Sequence, residues 1–206
     1  MQIKKIIVGE LQVNCYIVFS KNSSNAIVID PGDDFKIINE FLEKNNLTPQ
    51  YIINTHGHFD HIMANNSLKQ TYPNSLLLVH KDDAPMLNDA SLNLSYFIGK
   101  KFVSVKPDKL LSDNDTISWD NKELLIIHTP GHTLGGICIL VENILFSGDT
   151  LFYESIGRTD LDGGSSEKLL SSIKNKLLNL SAETLVFPGH GTQTSIGYEK
   201  KHNEFL

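Results

Sequence analysis

Thr55-His56-Gly57-His58-Phe59-Asp60-His61 comes directly after the apolar run Tyr51-Ile52-Ile53-Asn54. The run is short, β-branched and aromatic, which predicts a buried strand that delivers the histidine cluster to the end of a sheet. In locally extended backbone, residues two apart point the same way, so His56 and His58 are placed to grip one ion. Gly57 carries no Cβ and lets the chain bend closely between them. Asp60 and His61 open the next turn and can face a second ion. Imidazole and carboxylate are borderline-to-hard donors that suit zinc, and also iron or manganese. A surface or capping role accounts well for a lone histidine, but poorly for three histidines and an aspartate in six residues.

Further out, the same construction recurs: an apolar run, a glycine turn, then a ligand. Thr129-Pro130-Gly131-His132-Thr133 follows a run ending at Ile127, and its Pro-Gly turn aims His132 out from the sheet edge. Ser147-Gly148-Asp149-Thr150 follows Ile144-Leu145-Phe146 and offers a carboxylate able to bridge two ions. Phe187-Pro188-Gly189-His190-Gly191 follows Leu185-Val186. Any one of these reads as an ordinary turn; all three in one chain read as parts of a site.

The remaining sequence predicts strands over 2–8, 13–19 and 26–29, the last two joined by the polar turn Lys21 to Asn25. Asp33 or Asp34 is expected to cap a helix with Phe35, Ile38, Phe41 and Leu42 on one face, ending before Thr48-Pro49. Strands are predicted over 51–54 and 76–79, with helices from about His61 to Lys69 and from Lys81 to Leu87. Residues 88–111 lack a period and carry Gly99 and Pro107, which predicts an irregular excursion able to shape or cover a site. Strands are then expected over 116–119, 123–127, 136–141, 144–147 and 184–187. A helix over 166–178 should bury Leu169, Leu170, Ile173 and Leu177, and a last helix should begin near Ser195. Without repeats, low-complexity tracts or a long linker, the expectation is one domain over 1–206, with two sheets and helices on their outer faces.

The 206 residues are 40% hydrophobic and 20% charged, which is ordinary globular composition. A net charge of −6 argues against a general nucleic-acid or anionic-membrane binder. The short apolar run Ile6-Ile7-Val8 is broken by Gly9-Glu10, too early for a signal-peptide core, and no later run reaches transmembrane length. These features point to a soluble, cytoplasmic protein. Cys15 and Cys138 are the two cysteines, each within an apolar run, and read as buried reduced thiols.

Taken in order, His-x-His-x-Asp-His, Pro-Gly-His, Gly-Asp and Gly-His resemble the ligand set of the metallo-β-lactamase superfamily over nearly the whole chain. The resemblance implies an α+β fold, an αββα sandwich of two mixed β-sheets with helices outside, and a site for two divalent ions. His56, His58 and His132 would hold one ion, Asp60, His61 and His190 the other, and Asp149 would bridge them. A glutamate at position 58 would indicate the di-iron oxygen-reducing branch and a cysteine at 149 many true β-lactamases; neither is present. Gly148-Asp149-Thr150-Leu151-Phe152 running into Ser155-Ile156-Gly157-Arg158-Thr159-Asp160 resembles glyoxalase II and its single-domain relatives. That implies a thioesterase acting on hydroxyacyl-glutathione or a related acyl-thiol, with Arg158 contacting the thiol carrier. Asp160 stands where glyoxalase II usually has an aromatic residue, and the Gly-Arg-Thr-Asp version also resembles persulfide dioxygenases, which use one iron on two histidines and an aspartate. A nucleic-acid phosphodiesterase on the same scaffold is a third reading, opposed by the acidic balance.

Two ions sharing a water would bring its pKa from about 15.7 toward 7 and make a bridging hydroxide the nucleophile, with Asp60 as the catalytic residue that orients it. A thiol with a pKa near about 8.5 leaves as thiolate without a general acid. The expected partner is therefore a small-molecule thioester, with no nucleic acid and no membrane. Tyr153 and Arg158 are expected to line the substrate entrance. Asp30, in Ile29-Asp30-Pro31-Gly32, is a turn residue placed to hydrogen-bond a ligating histidine. His80 and His202 read as isolated structural or solvated histidines, and His128 as packing or outer support for His132.

Overall fold

Apolar residues two apart set one face of each strand, and runs without alternation mark the strands covered on both faces. In the computed structural model, which describes residues 1–206, the chain divides into Met1–Val79 with Ala84–Leu110 and His80–Asp83 with Leu111–Leu206. The first unit is built on a sheet ordered β1-β2-β3-β4-β5-β6. Its strands are β1 (Gln2–Val8), β2 (Val13–Phe19), β3 (Asn25–Ile29), β4 (Thr48–Ile53), β5 (Leu76–His80) and β6 (Lys109–Leu111). β1, β2 and β3 pair antiparallel, whereas β3, β4 and β5 are parallel. Parallel neighbours need crossovers, supplied by α1 (Phe35–Lys44) and by α2 (Phe59–Ile62) with α3 (Asn65–Thr71). Ile38 and Leu42 of α1 and Leu68 of α3 pack with Val13, Cys15, Ile17, Val28 and Ile52 in one buried cluster. Each such fully buried aliphatic side chain contributes about 1.5–3 kcal/mol against the entropy of ordering the chain.

The second unit holds a sheet ordered β14-β13-β10-β9-β8-β7. It comprises β7 (Thr116–Trp119), β8 (Lys122–His128), β9 (Ile137–Val141), β10 (Ile144–Gly148), β13 (Leu185–Pro188) and β14 (Thr194–Ser195). A two-stranded hairpin, β11 (Leu151–Phe152) and β12 (Ser155–Ile156), branches from it. Leu169, Ile173 and Leu177 pack with Cys138, Leu145, Val186 and Ile196. The fold class expected from the sequence, α+β with two mixed sheets and flanking helices, is the one found.

Strand direction places the ligands. β3, β4 and β5 run one way, so the segments after β3 and β4, carrying Asp30 and residues 54–58, leave the same edge of the first sheet. In the second sheet β8 and β10 are each antiparallel to β9 and β13 is parallel to β10, so the turns after β8, β10 and β13 share one edge too. Ligand sites in sheets with parallel strands belong at such carboxyl ends.

Several expectations are corrected. The helix expected from His61 to Lys69 is two helices, because Met63 N and Ala64 N donate to Gly32 O (3.2 Å) and Pro31 O (2.9 Å) rather than along a continuous helix. Lys81 to Asp83 is a turn, closed by Asp83 N on His80 O (3.0 Å), and only Ala84–Leu87 is helical (α4). Asp34 precedes α1 in the left-handed region (φ 49°), and its carboxylate accepts from Gly9 N (2.8 Å) instead of capping. The helix over 166–178 is α5 (Ser166–Ser172), capped by Ser165 and prolonged by a π-turn over Ile173–Leu177, and Leu170 is only half-buried. α6 (Ile196–His202) starts at the expected place, Ser195 accepting from Tyr198 N (3.2 Å). Residues 88–111 are largely irregular, as expected, with a 3₁₀ turn over Ser95–Ile98; Asn93 Nδ2 pins them by donating to Met86 O and Phe102 O (3.0 Å each). Cys15 and Cys138 are buried free thiols, and burial pushes the Cys138 thiol up to about 11. No helix is long and apolar enough to cross a membrane.

His80 is not the isolated histidine the sequence suggested. It is buried and stacks on His128, ring centroids 4.0 Å apart and planes 13° from parallel. Asp82 N donates to His80 Nδ1 (3.3 Å), and His128 Nε2 donates to Leu134 O (2.9 Å). Burial, and then the neighbouring His128, hold the His80 pKa down to about 4. The unfolded chain therefore binds this proton more readily than the folded one, so the neutral ring's contribution is complete above about 6.5 and is lost as pH falls from there toward 4. We expect the urea midpoint of chelator-treated protein to fall across that window, and His80→Gln to flatten the slope; equal slopes in the two proteins would contradict this.

Candidate metal centre

In the first unit the Asp30 carboxylate organises the ligand cluster. It is buried, and its backbone takes the left-handed conformation (φ 50°) that aspartate tolerates better than most residues. Oδ1 accepts from Thr55 N (2.7 Å), while Oδ2 accepts from Thr55 Oγ1 (2.6 Å) and from His61 Nδ1 (3.0 Å). Having spent its proton on Asp30, the Thr55 hydroxyl meets His56 Nδ1 (3.1 Å) as an acceptor. Both rings are thus fixed as Nδ1–H tautomers, directly for His61 and through Thr55 for His56, which leaves their Nε2 lone pairs for a metal. The His56 and His61 ring centroids are 4.1 Å apart, and His58 meets His56 edge-on at 4.8 Å. Asn54 Nδ2 donates to His61 O (3.2 Å), anchoring the backbone of the cluster.

The second unit uses the same device. His132 Nδ1 donates to Arg158 O (2.8 Å), so its Nε2 is also presented as a donor to an ion. That Nε2 and His190 Nε2 each lie 3.6 Å from the same oxygen of Asp149, Oδ2. His61 Nε2 stands 3.6 Å from Asp60 Oδ2 in the first unit. A separation of 3.6 Å is long for a hydrogen bond. It suits two donors on one ion: with bonds of about 2.0–2.2 Å at the tetrahedral angle, ligands stand about 3.3–3.6 Å apart. The shorter contacts of Asp30, at 2.6 to 3.0 Å, are hydrogen bonds and mark it as support, not a ligand. Neutral imidazoles presenting Nε2, with carboxylates at ligand spacing, fit divalent ions. By contrast His80, Asp82 and His128 cluster within 4.8 Å, but two parallel stacked rings cannot both aim an in-plane lone pair at one ion.

Two glycines let backbone approach the candidate ligand aspartates; both lie in segments that the sequence singled out, but for Asp30 and Arg158 and not for the glycines themselves. A Cβ on Gly32 would fall 1.7 Å from Asp60 O, and one on Gly157 would fall 1.9 Å from Asp149 O. Asn54 and Thr55 were also missed as supports; their only signal was polarity immediately after a buried strand. Asp30 does what its position suggested.

The expected entrance residues are both surface groups of the second unit. Arg158 makes a bidentate pair with Asp160 (Nε to Oδ1 2.8 Å, NH2 to Oδ2 2.7 Å), and the guanidinium draws the Asp160 carboxyl down to about 2. Tyr153 stacks on Tyr198, with their hydroxyls 2.9 Å apart. Beside Asp60, within the first unit, is a cavity of about 70 Å³ lined by Val8, Leu11, Gly32, Phe59, Met63 and Ile98.

Asp30→Asn puts an amide where three donors now converge. We expect the chelator-treated variant to lose about 1–3 kcal/mol in urea unfolding and metal affinity to drop about 10–100-fold in competition with a chromophoric chelator. Wild-type values in both measurements would show that Asp30 does not organise the cluster.

The chain is similar to known proteins along nearly its whole length. A protein of Mycobacterium tuberculosis described as uncharacterized is 38% identical over 212 residues, covering 96% of this chain and 94% of that one. The probable metallo-hydrolase YqgX of Bacillus subtilis is 37% identical over 209 residues, covering 100% and 98%. Hydroxyacylglutathione hydrolase GloC of Haemophilus influenzae is 33% identical over 209 residues, covering 100% and 98%. Among solved structures, BLEG-1 B3 metallo-beta-lactamase superposes with a TM-score of 0.95 at 39% identity, covering 100% of this chain and 99% of the other. TTHA1623 in a di-iron-bound form gives a TM-score of 0.87 at 31% identity, covering 98% and 100%. Residues 8–190 match the profile of the Metallo-beta-lactamase superfamily, and with relatives of this identity along its whole length the chain belongs to that superfamily.

Proposed function

We propose that this protein is a metal-dependent hydrolase that cleaves thioesters of the hydroxyacyl-glutathione kind. The observation that carries the reading is the anchoring of His56, His61 and His132 through Nδ1, with Nε2 of His61, His132 and His190 at ligand spacing from Asp60 and Asp149. In this reading the chain works as one domain. His56, His58 and His132 would hold one divalent ion and Asp60, His61 and His190 a second, with Asp149 completing the donor set. Zinc fits the donor set, as do iron and manganese; the di-iron form of TTHA1623 supports iron in a relative.

The ions, when bound, supply Lewis acidity that acidifies a water and polarises a carbonyl. The residues supply the rest. Asp60 would hold an ion and orient the attacking oxygen, and Asp30 and Thr55 keep the imidazoles from turning. The thiol side of the substrate leaves as thiolate, so no side chain is needed as its acid. The cavity beside Asp60, at about 70 Å³, has room for the equivalent of roughly two waters and so for a short acyl group. Arg158 attracts a carboxylate of the thiol carrier. Its partner Asp160 is exposed, and an exposed pair opens at little cost. The Haemophilus influenzae relative named for hydroxyacylglutathione hydrolysis supports the substrate class. The likeness to BLEG-1 supports a second reading, hydrolysis of a β-lactam amide, whose nitrogen leaving group does require a proton.

The test is a panel of acyl-glutathione thioesters and a chromogenic cephalosporin, assayed with protein loaded with zinc, iron or manganese. We expect thioester turnover, with Asp60→Asn lowering kcat about 10²–10³-fold. Cephalosporin turnover with no thioester cleavage would select the second reading. Arg158→Ala should raise KM for glutathione thioesters several-fold at nearly constant kcat, as the loss of a contact made equally to substrate and transition state implies. An unchanged KM would remove that role.

A further inference from the structure

Glu199 is a fully buried carboxylate with no role in the ligand set, and it lies on α6, outside every motif read from the sequence. Its oxygens accept from Thr194 Oγ1 (2.5 Å), Glu154 N (3.0 Å) and Asn203 Nδ2 (2.8 Å). No lysine, arginine or histidine pairs with it, so its burial is offset by hydrogen bonds alone. Asn203, at the end of α6, also donates to Ser155 O (3.1 Å). Tyr198 completes the grip, its hydroxyl donating to Glu154 Oε1 (2.5 Å) and its ring stacking on Tyr153. Two residues of α6 and the asparagine that caps its end therefore hold three successive residues, 153 to 155, at the tip of the β11–β12 hairpin.

That hairpin needs holding. It has two residue pairs, Leu151 with Ile156 and Phe152 with Ser155, and Glu154 at its turn is left-handed (φ 51°). A hairpin this short is not stable by itself. Its exit carries the two backbone contacts that shape the second unit's ligands: Gly157, closed against Asp149 O, and Arg158 O, which accepts from His132 Nδ1. A shift of the hairpin tip is passed along β12 to both.

We propose that Glu199 and Asn203 are positioning residues for the metal centre, fixing the tautomer of His132 and the placement of Asp149 through the hairpin. The proposal rests on the metal-dependent reading above, and its test separates the two. Glu199→Leu removes the acceptor at Glu154 N, and Asn203→Ala removes the Ser155 tie. In metal-free protein, ¹⁵N spectra of the imidazoles should show His132 as one Nδ1–H tautomer in wild type and as a mixture in either variant. By chelator competition, each variant should bind zinc about 10–100-fold more weakly at the affected position. As a stability control, Ile38→Val in the first unit should lower the melting temperature while leaving His132 and zinc affinity unchanged. Variants that lose stability but keep the single tautomer and full affinity would overturn the proposal and leave Glu199 purely structural. Wild-type protein that binds no zinc, iron or manganese would overturn the metal reading and with it this one. If Glu199→Leu does not fold, Asn203→Ala alone decides, since it deletes a side chain at the helix end and leaves the buried carboxylate with two of its three donors.

Discussion

An imidazole ligand is useful only if its lone pair is aimed, and aiming requires a partner for its other nitrogen. In the first unit one carboxylate, Asp30, does this for two histidines. Its hold on His61 is direct, and its hold on His56 passes through the Thr55 hydroxyl, whose proton points at Asp30. The carboxylate is buried and accepts three hydrogen bonds, which is what makes its burial tolerable. Remove this arrangement and the cluster reverts to histidines free to rotate and to exchange tautomers.

The second unit solves the same problem with backbone. His132 is aimed by the carbonyl of Arg158, and that carbonyl is fixed by a hairpin too small to fix itself. Rigidity is borrowed from α6, through a buried carboxylate, an asparagine and a stacked tyrosine pair. In both units a glycine admits the neighbouring chain to van der Waals range of a ligand aspartate's carbonyl, Gly32 at Asp60 and Gly157 at Asp149. A side chain at either position would displace the backbone that carries the ligand.

Much of the fold was legible because strand periodicity is a local property. The strands β1, β2 and β7 fall where alternation and turn residues placed them, and β3, β4, β5, β8, β9, β10 and β13 differ by a few residues at their ends, whereas the short strands β6, β11, β12 and β14 were not predicted. The errors share a cause. The break between α2 and α3 comes from Gly32 and Pro31 capturing amides that a helix would otherwise keep, and Asp34 left its capping role for Gly9 N. Both are contacts with chain remote in sequence, invisible to any local pattern. His80 was misjudged as isolated for the same reason: His128, on which it stacks, lies 48 positions later.

The sequence by itself determined the chemistry. Seven candidate ligands of suitable hardness, each after an apolar run and mostly behind a glycine, mark a site suited to divalent metal before any coordinate is known. Strand direction then brings the exits to one edge of each sheet, which periodicity alone could not assign. Only tertiary structure decided which nitrogen of each histidine is presented, because a tautomer is chosen by the acceptor that folding places against the ring. It likewise decided the tasks of Asn54, Gly157 and Glu199, since a polar side chain or a glycine acquires such a role from the neighbours that folding gives it.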